Sequence, residues 1–535
     1  MAPFDPALAR STLFGAVLEA AHRHGSDKVI LEDIERQPMS YGRLILASLV
    51  LGHAFAKQTR PGEVVGVLLP NVAGLLVTLL GLNAFGRVTA LLNFTAGVRN
   101  LASAVKTAPT SLVVTSRRFI DQAKLEDVIE GLAATEVAPG RRVRILYLED
   151  LRKTIGVRAK IGGLLRSKVA GLVHARSRMT PDKTAVILFT SGTEGTPKGV
   201  ALTNANLIAN ARQIWQHAAG MLTPGDTALN PLPMFHSFGL TAGTLVGVLN
   251  GMKVVLYPSP LHYRQVPKLI GDTKATVLFA TDTFLQGYAR AADPGELASV
   301  RFVIAGAEKV KDATRALWSR GAVANEAPSK NPSALILEGY GATECSPVIS
   351  CNLPQAHRPG SVGSVLPGIE IKLERVDGIP EGGKLMVRGP NIMAGYILAS
   401  TPGVVVPPAG GWHDTGDIVT IADGFVTIAG RAKRFAKLGG EMISLAAVEQ
   451  MASVLWPEHQ HVVVSEPDPR KGEQLVLVTD KPDATREELH ASARAQGYPE
   501  LWVPRRIVIV PAIPVLGSGK VDLVAARGLV SRGQG

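Results

Sequence analysis

Seven short apolar runs punctuate the chain: VVGVLLP, SLVVTS, AVILF, KVVLYP, TVLFA, RFVIAG and ALILEGYG, with helical patterning between them. A continuous apolar run of strand length is buried on both faces, and strands that alternate with helices build a mainly parallel sheet. The pattern therefore predicts an α/β architecture. One stretch, residues 64–86, is uncharged and long enough to resemble a membrane span, but Pro70-Asn71 divides it into a strand and a short apolar helix containing Gly74, Gly81 and Asn83. No internal repeat or low-complexity segment interrupts the alternation.

From Gly382 the texture changes. KLMVRGP, then DIVTIADGFVTIAGR with an Asp423-Gly424 turn, reads as a smaller antiparallel sheet. After Lys433 come a helix near residues 444–454, strands HVVVSEPD and EQLVLVTD, a second helix, RRIVIV and a glycine-rich tail. The reading is a large N-terminal α/β domain (1–432) that includes the antiparallel β subdomain, then a small mobile α+β domain (433–535), with a hinge over Gly430 to Arg434. A length of 535 residues alone suggests three or four domain-sized units.

The AVILF strand runs into TSGTEGTPKGV, where glycines and hydroxyls precede Lys198. Glycines let backbone amides approach a phosphate, while hydroxyls and an ammonium neutralise its charge. Thr190, Ser191, Gly192, Thr193 and Lys198 are thus candidate phosphate contacts. The order is not that of a Walker loop, because no Ser or Thr follows the lysine. Thr203 has the composition of an N-cap for a following helix.

Four further constellations bear on chemistry. In GYGATE, Gly339 to Glu344, permissive glycines precede a hydroxyl and a carboxylate: Tyr340 and Gly341 suit a base, Thr343 a phosphate oxygen, and Glu344 a magnesium ion. In WHDTGDIV, Asp417 suits two vicinal ribose hydroxyls, and Arg431 in GRAKR supplies a second ribose or phosphate contact. In PLPMFHSFG, His236 stands between Phe235 and Phe238, a setting in which a histidine is more often core than catalyst. In VLGSGKVD, Lys520 lies on a glycine-flanked turn.

Two cysteines, Cys345 and Cys351, form no disulfide framework or metal-ligand spacing with histidine. The first residues make a poor secretory signal, so the chain reads as cytoplasmic. A net charge of +12 favours an acidic or anionic partner. Part of it lies in Arg152 to Arg178, which has no acidic residue and apolar positions at partly helical spacing. That run is open to two readings: a solvated basic helix, or a docking surface for an acidic protein or, peripherally, the inner membrane. Nucleic acid is not expected, since no reader motif or interleaved aromatic appears.

Together the motifs resemble those of the adenylate-forming (AMP-binding) superfamily over nearly the whole chain, from MSYGRL near residue 40 to GSGK. Glu194 departs from the Thr found in most of that superfamily. The resemblance implies ATP as substrate and Mg²⁺ as cofactor. It makes Lys520 the catalytic lysine that bridges carboxylate and α-phosphate, Glu344 a metal-binding residue, and His236 an acyl-site gate. Gly306, Ala307 and Glu308 would pack along adenine and substrate, and the C-terminal domain would swing on Lys433.

The blocks LNFTAGV, LYPSPLHYR, AGAEKV, ILEGYGATECSPV, GPNIMAGY and WVPRR look like the synthetase half of bacterial 2-acylglycerophosphoethanolamine acyltransferase/acyl-acyl-carrier-protein synthetases. The resemblance implies a stand-alone synthetase that activates a fatty acid as acyl-adenylate and transfers it to acyl carrier protein. Coenzyme A is the alternative acceptor, and a non-catalytic acyl-nucleotide-binding protein the alternative of another class. HRHGSD, His22 to Asp27, has acyltransferase spacing but lacks a partner motif and is not assigned to catalysis.

Overall fold

The computed structural model describes residues 3–191, 197–321, 334–379, 381–438, 441–468, 472–515 and 521–532. Two compact units emerge rather than three or four: Met1–Arg358 with Gly363–Glu370 and Arg388–His413, and Pro359–Val362 with Ile371–Val387 and Asp414–Gly535.

The first unit holds two sheets. In one, the parallel strands Thr184–Ser191, Val88–Leu91, Val64–Val67, Leu112–Thr115 and Arg144–Tyr147 are adjacent in that order. Beyond Thr184–Ser191 the sheet turns antiparallel through Pro197–Thr203, Gly395–Leu398 and Thr401–Val406. In the other, Leu335–Gly341, Phe302–Ala305, Val277–Ala280, Thr227–Asn230, Lys253–Leu256 and Val29–Glu32 run parallel. All seven apolar runs of the sequence form parallel-sheet strands, because each is flanked by helices that bury it.

The 64–86 stretch divides at Pro70-Asn71 into the strand Val64–Val67 and the helix Ala73–Ala84. Among the described residues no helix is long and apolar enough to cross a membrane. The helix lies against Tyr41–Ala56 at a crossing of two glycines: a Cβ on Gly52 would come within 2.4 Å of the Gly81 carbonyl oxygen. Only glycine permits that approach, and it lets Leu44, Leu49, Leu76 and Leu80 mesh in one fully buried core.

The second unit contains the antiparallel strands His413–Ala422 and Phe425–Arg431, joined by a hairpin in which Asp423 and Gly424 have φ of 52° and 81°. Positive φ at both central residues is the conformation that Asp-Gly accepts in a tight hairpin. The chain then builds a second sheet from Phe435–Leu438, Glu441–Ser444, His461–Asp468, Gly472–Thr479 and Arg506–Ile509. Along His461–Asp468 the side chains alternate. Val463 enters a core with Val448, Met451 and Leu489, while Val462 and Val464 join Ala526 and Val530 in another. Ser444 caps the helix Leu445–Leu455, and Thr485 with Glu488 forms a capping box on Arg486–Ala495.

Candidate active site

Within the first unit, candidate segments follow the carboxyl ends of neighbouring parallel strands, the place where open α/β sheets bind ligands. The segment Pro231–Gly239 follows Thr227–Asn230, Gly306 to Glu308 follows Phe302–Ala305, and GYGATE closes Leu335–Gly341. Buried Asn230 fixes the first of these. Its side-chain amide donates to the Gly239 carbonyl at 2.9 Å and its oxygen accepts from the Leu232 amide at 3.0 Å. His236 is half-buried against Phe235, ring centroids 4.8 Å apart, and Phe235 also meets Phe94 edge-on. Phe235 is thus core, and Phe238 packs edge-on against Phe279.

The next residue links the histidine segment to GYGATE: the Ser237 hydroxyl donates to Thr343 Oγ1 at 3.4 Å. Gly306 lies between them, since a Cβ there would meet Phe238 at 3.3 Å and the Gly339 oxygen at 3.6 Å. Ala307 has a left-handed φ of 71°. The Glu308 carboxylate accepts from the Thr283 amide at 2.8 Å and from its hydroxyl at 3.2 Å, in the first turn of the helix Asp282–Ala291. Tyr340 and Gly341 pair with the strand Val348–Cys351, and a Cβ on Gly341 would sit 2.0 Å from the Pro347 carbonyl oxygen. That glycine is a packing requirement.

Thr190, next to last in its strand, stands directly opposite Lys198, in register on the antiparallel neighbour Pro197–Thr203. Lys198 therefore projects from a strand rather than from a loop, and Thr203 caps the next helix with Asn206 in a capping box. The Lys198 ammonium stands 5.4 Å from the centre of the Tyr396 ring, and the Tyr396 hydroxyl donates to Glu344 Oε1 at 2.7 Å. Two motifs far apart in sequence so meet through one tyrosine. Its neighbour Asn391 fixes the same turn by donating to the Cys345 carbonyl at 2.8 Å. Sequence reasoning missed both residues. The signal was the GPNIMAGY block, which holds Asn391 and Tyr396 but has no chemistry of its own to betray a role.

In the second unit, Asp417 and Arg431 are cross-strand partners, with Arg431 Nε 3.2 Å from Asp417 Oδ1. The carboxylate is buried to 8 % exposure while the guanidinium is 70 % exposed, so the pair joins a buried anion to a solvent-facing cation. Lys433 occupies a single turn, Ala432–Arg434, between strands. Arg434 anchors that turn: its guanidinium donates to the Val463 carbonyl at 3.0 Å and pairs with Glu449, whose own carboxylate accepts from the Val463 amide at 2.8 Å. Burial pushes the Glu449 carboxyl up, against the pull of Arg434. Gly192, Thr193 and Lys520 lie outside the described residues, as do the side chains of Ser191 and Lys433.

Among the described residues no cluster of three or more His, Cys, Asp or Glu could hold a metal by itself. A single carboxylate such as Glu344 fits magnesium, which commonly takes one or two carboxylates and completes its shell with phosphates and water.

The AMP-binding enzyme family model matches residues 17–397. The chain is 28% identical over 477 residues to a Rhodococcus jostii 3-[(3aS,4S,7aS)-7a-methyl-1,5-dioxo-octahydro-1H-inden-4-yl]propanoyl:CoA ligase, covering 87% of this chain and 88% of that protein. It is 24% identical to a long-chain-fatty-acid–CoA ligase of Escherichia coli, covering 86% and 84%. A Yersinia pestis long-chain-fatty-acid–CoA ligase is 29% identical over 63% of this chain and 60% of its own length. Among solved structures, o-succinylbenzoate coenzyme A synthetase from Bacillus subtilis, in complex with ATP and magnesium ion, matches with a TM-score of 0.75 at 23% identity, covering 95% of this chain and 98% of that one. ATP-bound MatB from Rhodopseudomonas palustris matches with a TM-score of 0.78 at 22% identity, covering 97% and 98%. The family match covers the parallel strands of both sheets of the first unit and ends one residue beyond Tyr396, and by it the chain belongs to the AMP-binding, adenylate-forming enzymes.

Proposed function

We propose that the protein is an acid–thiol ligase that activates a fatty acid with ATP and passes the acyl group to coenzyme A. The observation that carries the reading is the meeting of Lys198 and Glu344 through Tyr396 beside the Ser237–Thr343 contact. It gathers a cation, a carboxylate and a hydroxyl near the strand ends, which suits a polyphosphate and its counter-ion. Relatives named as CoA ligases support this acceptor.

In the first half-reaction a carboxylate oxygen attacks the α-phosphorus of ATP, the bond to pyrophosphate breaks, and an acyl-adenylate forms. In the second, the thiolate sulfur attacks the acyl carbon and AMP leaves. Lys198 and Thr190 contact phosphate, Glu344 holds magnesium, whose charge offsets that of the phosphates, and Asp417 with Arg431 takes the ribose. Lys520 stabilises charge on the reacting carboxylate and α-phosphate. His236 orients the acid. Acyl carrier protein is a second reading, favoured by the net charge of +12, because an acidic partner is drawn to a basic one.

The test incubates the protein with ATP, Mg²⁺ and a panel of fatty acids, offering coenzyme A or holo carrier protein, and reads product masses. Acyl-CoA is the expected product. Acyl-carrier-protein alone would reverse the acceptor, and no pyrophosphate release with any acid would overturn the reading.

A further inference from the structure

The helix Val157–Lys168 is mounted inside out. An ordinary surface helix turns its apolar stripe to the core. This one turns inward Gly163 and Arg166 instead, packing on the helix Tyr41–Ala56: a Cβ on Gly163 would stand 2.2 Å from Val50 Cγ2, and Arg166 lies 3.2 Å from His53 Nε2. Its large apolar residues face solvent, with Val157 71%, Ile161 55%, Leu164 52% and Leu165 61% exposed. At 100° per residue these four fall within about a third of the helix circumference. The stripe continues through Val169 at 47% and Leu172 at 68% exposed, just beyond the helix end.

Arg158 and Lys160 flank it on either side, and Lys168 lies along it at the helix end. Arg158, Lys160, Lys168 and Arg176 are exposed, and among the described residues none has an ion-pair partner. The anchoring is otherwise firm: buried His174 bonds Thr12 Oγ1 at 2.6 Å and the Ala84 carbonyl at 3.0 Å, pinning the segment that follows.

We propose that this face is a docking surface for an anionic lipid bilayer, on which residues 157–172 lie in the plane of the interface. An apolar stripe flanked by Lys and Arg is the pattern of helices that lie at the boundary of headgroups and acyl chains, where each part meets its complement. Two other occupants fit less well. Protein interfaces concentrate binding in Trp and Tyr as well as Arg anchors, and Arg152 to Arg178 has Arg but no Trp, Tyr or Phe. Symmetric self-association would set two unpaired basic borders against each other. The proposal does not depend on which thiol accepts the acyl group.

The experiment co-sediments the full chain with vesicles of phosphatidylglycerol and phosphatidylcholine, or of phosphatidylcholine alone. The expected result is partitioning onto the anionic vesicles that weakens with salt, and a drop of at least about tenfold for both Ile161→Ser/Leu164→Ser/Leu165→Ser and Arg158→Glu/Lys160→Glu/Lys168→Glu. Both variants should melt at the parent temperature, because the altered side chains already face water, and should adenylate a water-soluble short-chain acid at the parent rate. Parent protein left in the supernatant, or variants that sediment like the parent, would overturn the proposal. Loss of carrier-protein binding with unchanged vesicle binding would assign the face to an acidic protein instead. A parent dimer that the serine variant makes monomeric, with unchanged vesicle binding, would assign it to a second copy.

Discussion

Glu344 and Tyr396 stand 52 positions apart, and their 2.7 Å hydrogen bond orients the carboxylate through its Oε1 atom. If Glu344 ligates magnesium as proposed, a hydrogen bond that orients its carboxylate makes the tyrosine act through the glutamate. Glu344→Gln should raise the magnesium needed for half-maximal ATP–pyrophosphate exchange by about 10- to 100-fold, and Tyr396→Phe by up to about tenfold. Parent-like magnesium dependence in a folded Glu344→Gln protein would remove the metal assignment. Gly341 makes a different demand. Gly341→Ala places a methyl group against the backbone at Pro347, where no flexible side chain can yield, and should cost about 1–3 kcal/mol in denaturant unfolding. At this scale the sequence announces residues whose chemistry is visible in their type, such as Lys198 and Glu344. It hides Tyr396, whose contacts with Glu344 and Lys198 exist only because a distant strand, Gly395–Leu398, pairs beside Pro197–Thr203.

Elements divide the same way between local and long-range causes. The apolar runs are legible because burial on both faces fills their middles with Val, Ile, Leu, Phe and Ala, and the Asp423-Gly424 hairpin because its turn favours those two residues. The strand Pro197–Thr203 is not legible: it opens on Pro-Lys-Gly, poor strand formers, and owes its existence to pairing with Thr184–Ser191 and Gly395–Leu398. The glycine crossing is likewise tertiary. Gly52→Ala should push Tyr41–Ala56 away from Ala73–Ala84 and cost about 1–3 kcal/mol, read as a fall in the denaturant midpoint at unchanged slope. The helix Leu13–His24 gives a pH prediction through its cap. Thr12 donates to His174 Nε2, and the other ring nitrogen donates to the Ala84 carbonyl, an arrangement that needs the neutral ring. Burial lowers the His174 pKa from its ordinary 6.5, so the unfolded chain takes up the proton first as pH falls. This contribution to stability is complete above about pH 6.5 and is lost progressively below it. Unfolding midpoints at pH 7.5 and 5.5 should show that loss, and His174→Gln should flatten it.

At the scale of the molecule, the sequence places a boundary at Lys433, whereas the compact units group the strands His413–Ala422 and Phe425–Arg431 largely with the C-terminal segment. The difference arises because a change of sequence texture marks where a new kind of element begins, while compactness follows which elements share contacts. The single turn Ala432–Arg434 separates two strands, and the residue after Lys433 is held to the helix Leu445–Leu455 by the Arg434–Glu449 pair. Backbone rotation at Lys433 would therefore move Arg434 together with the helix Leu445–Leu455. If Lys520 is delivered for adenylation by one orientation and withdrawn in another for thioester formation, the half-reactions should separate. Lys520→Ala should lose about 10²- to 10³-fold in acyl-adenylate formation, the effect of removing one preorganised electrostatic donor. Given ready-made acyl-adenylate, it should still form thioester at the parent rate. Lys433→Pro, which restricts φ at the turn, should adenylate normally and fail in the second step. Equal loss of both half-reactions in Lys520→Ala, at an unchanged melting temperature, would mean that the lysine serves both steps. The two orientations would then have no basis in this chain.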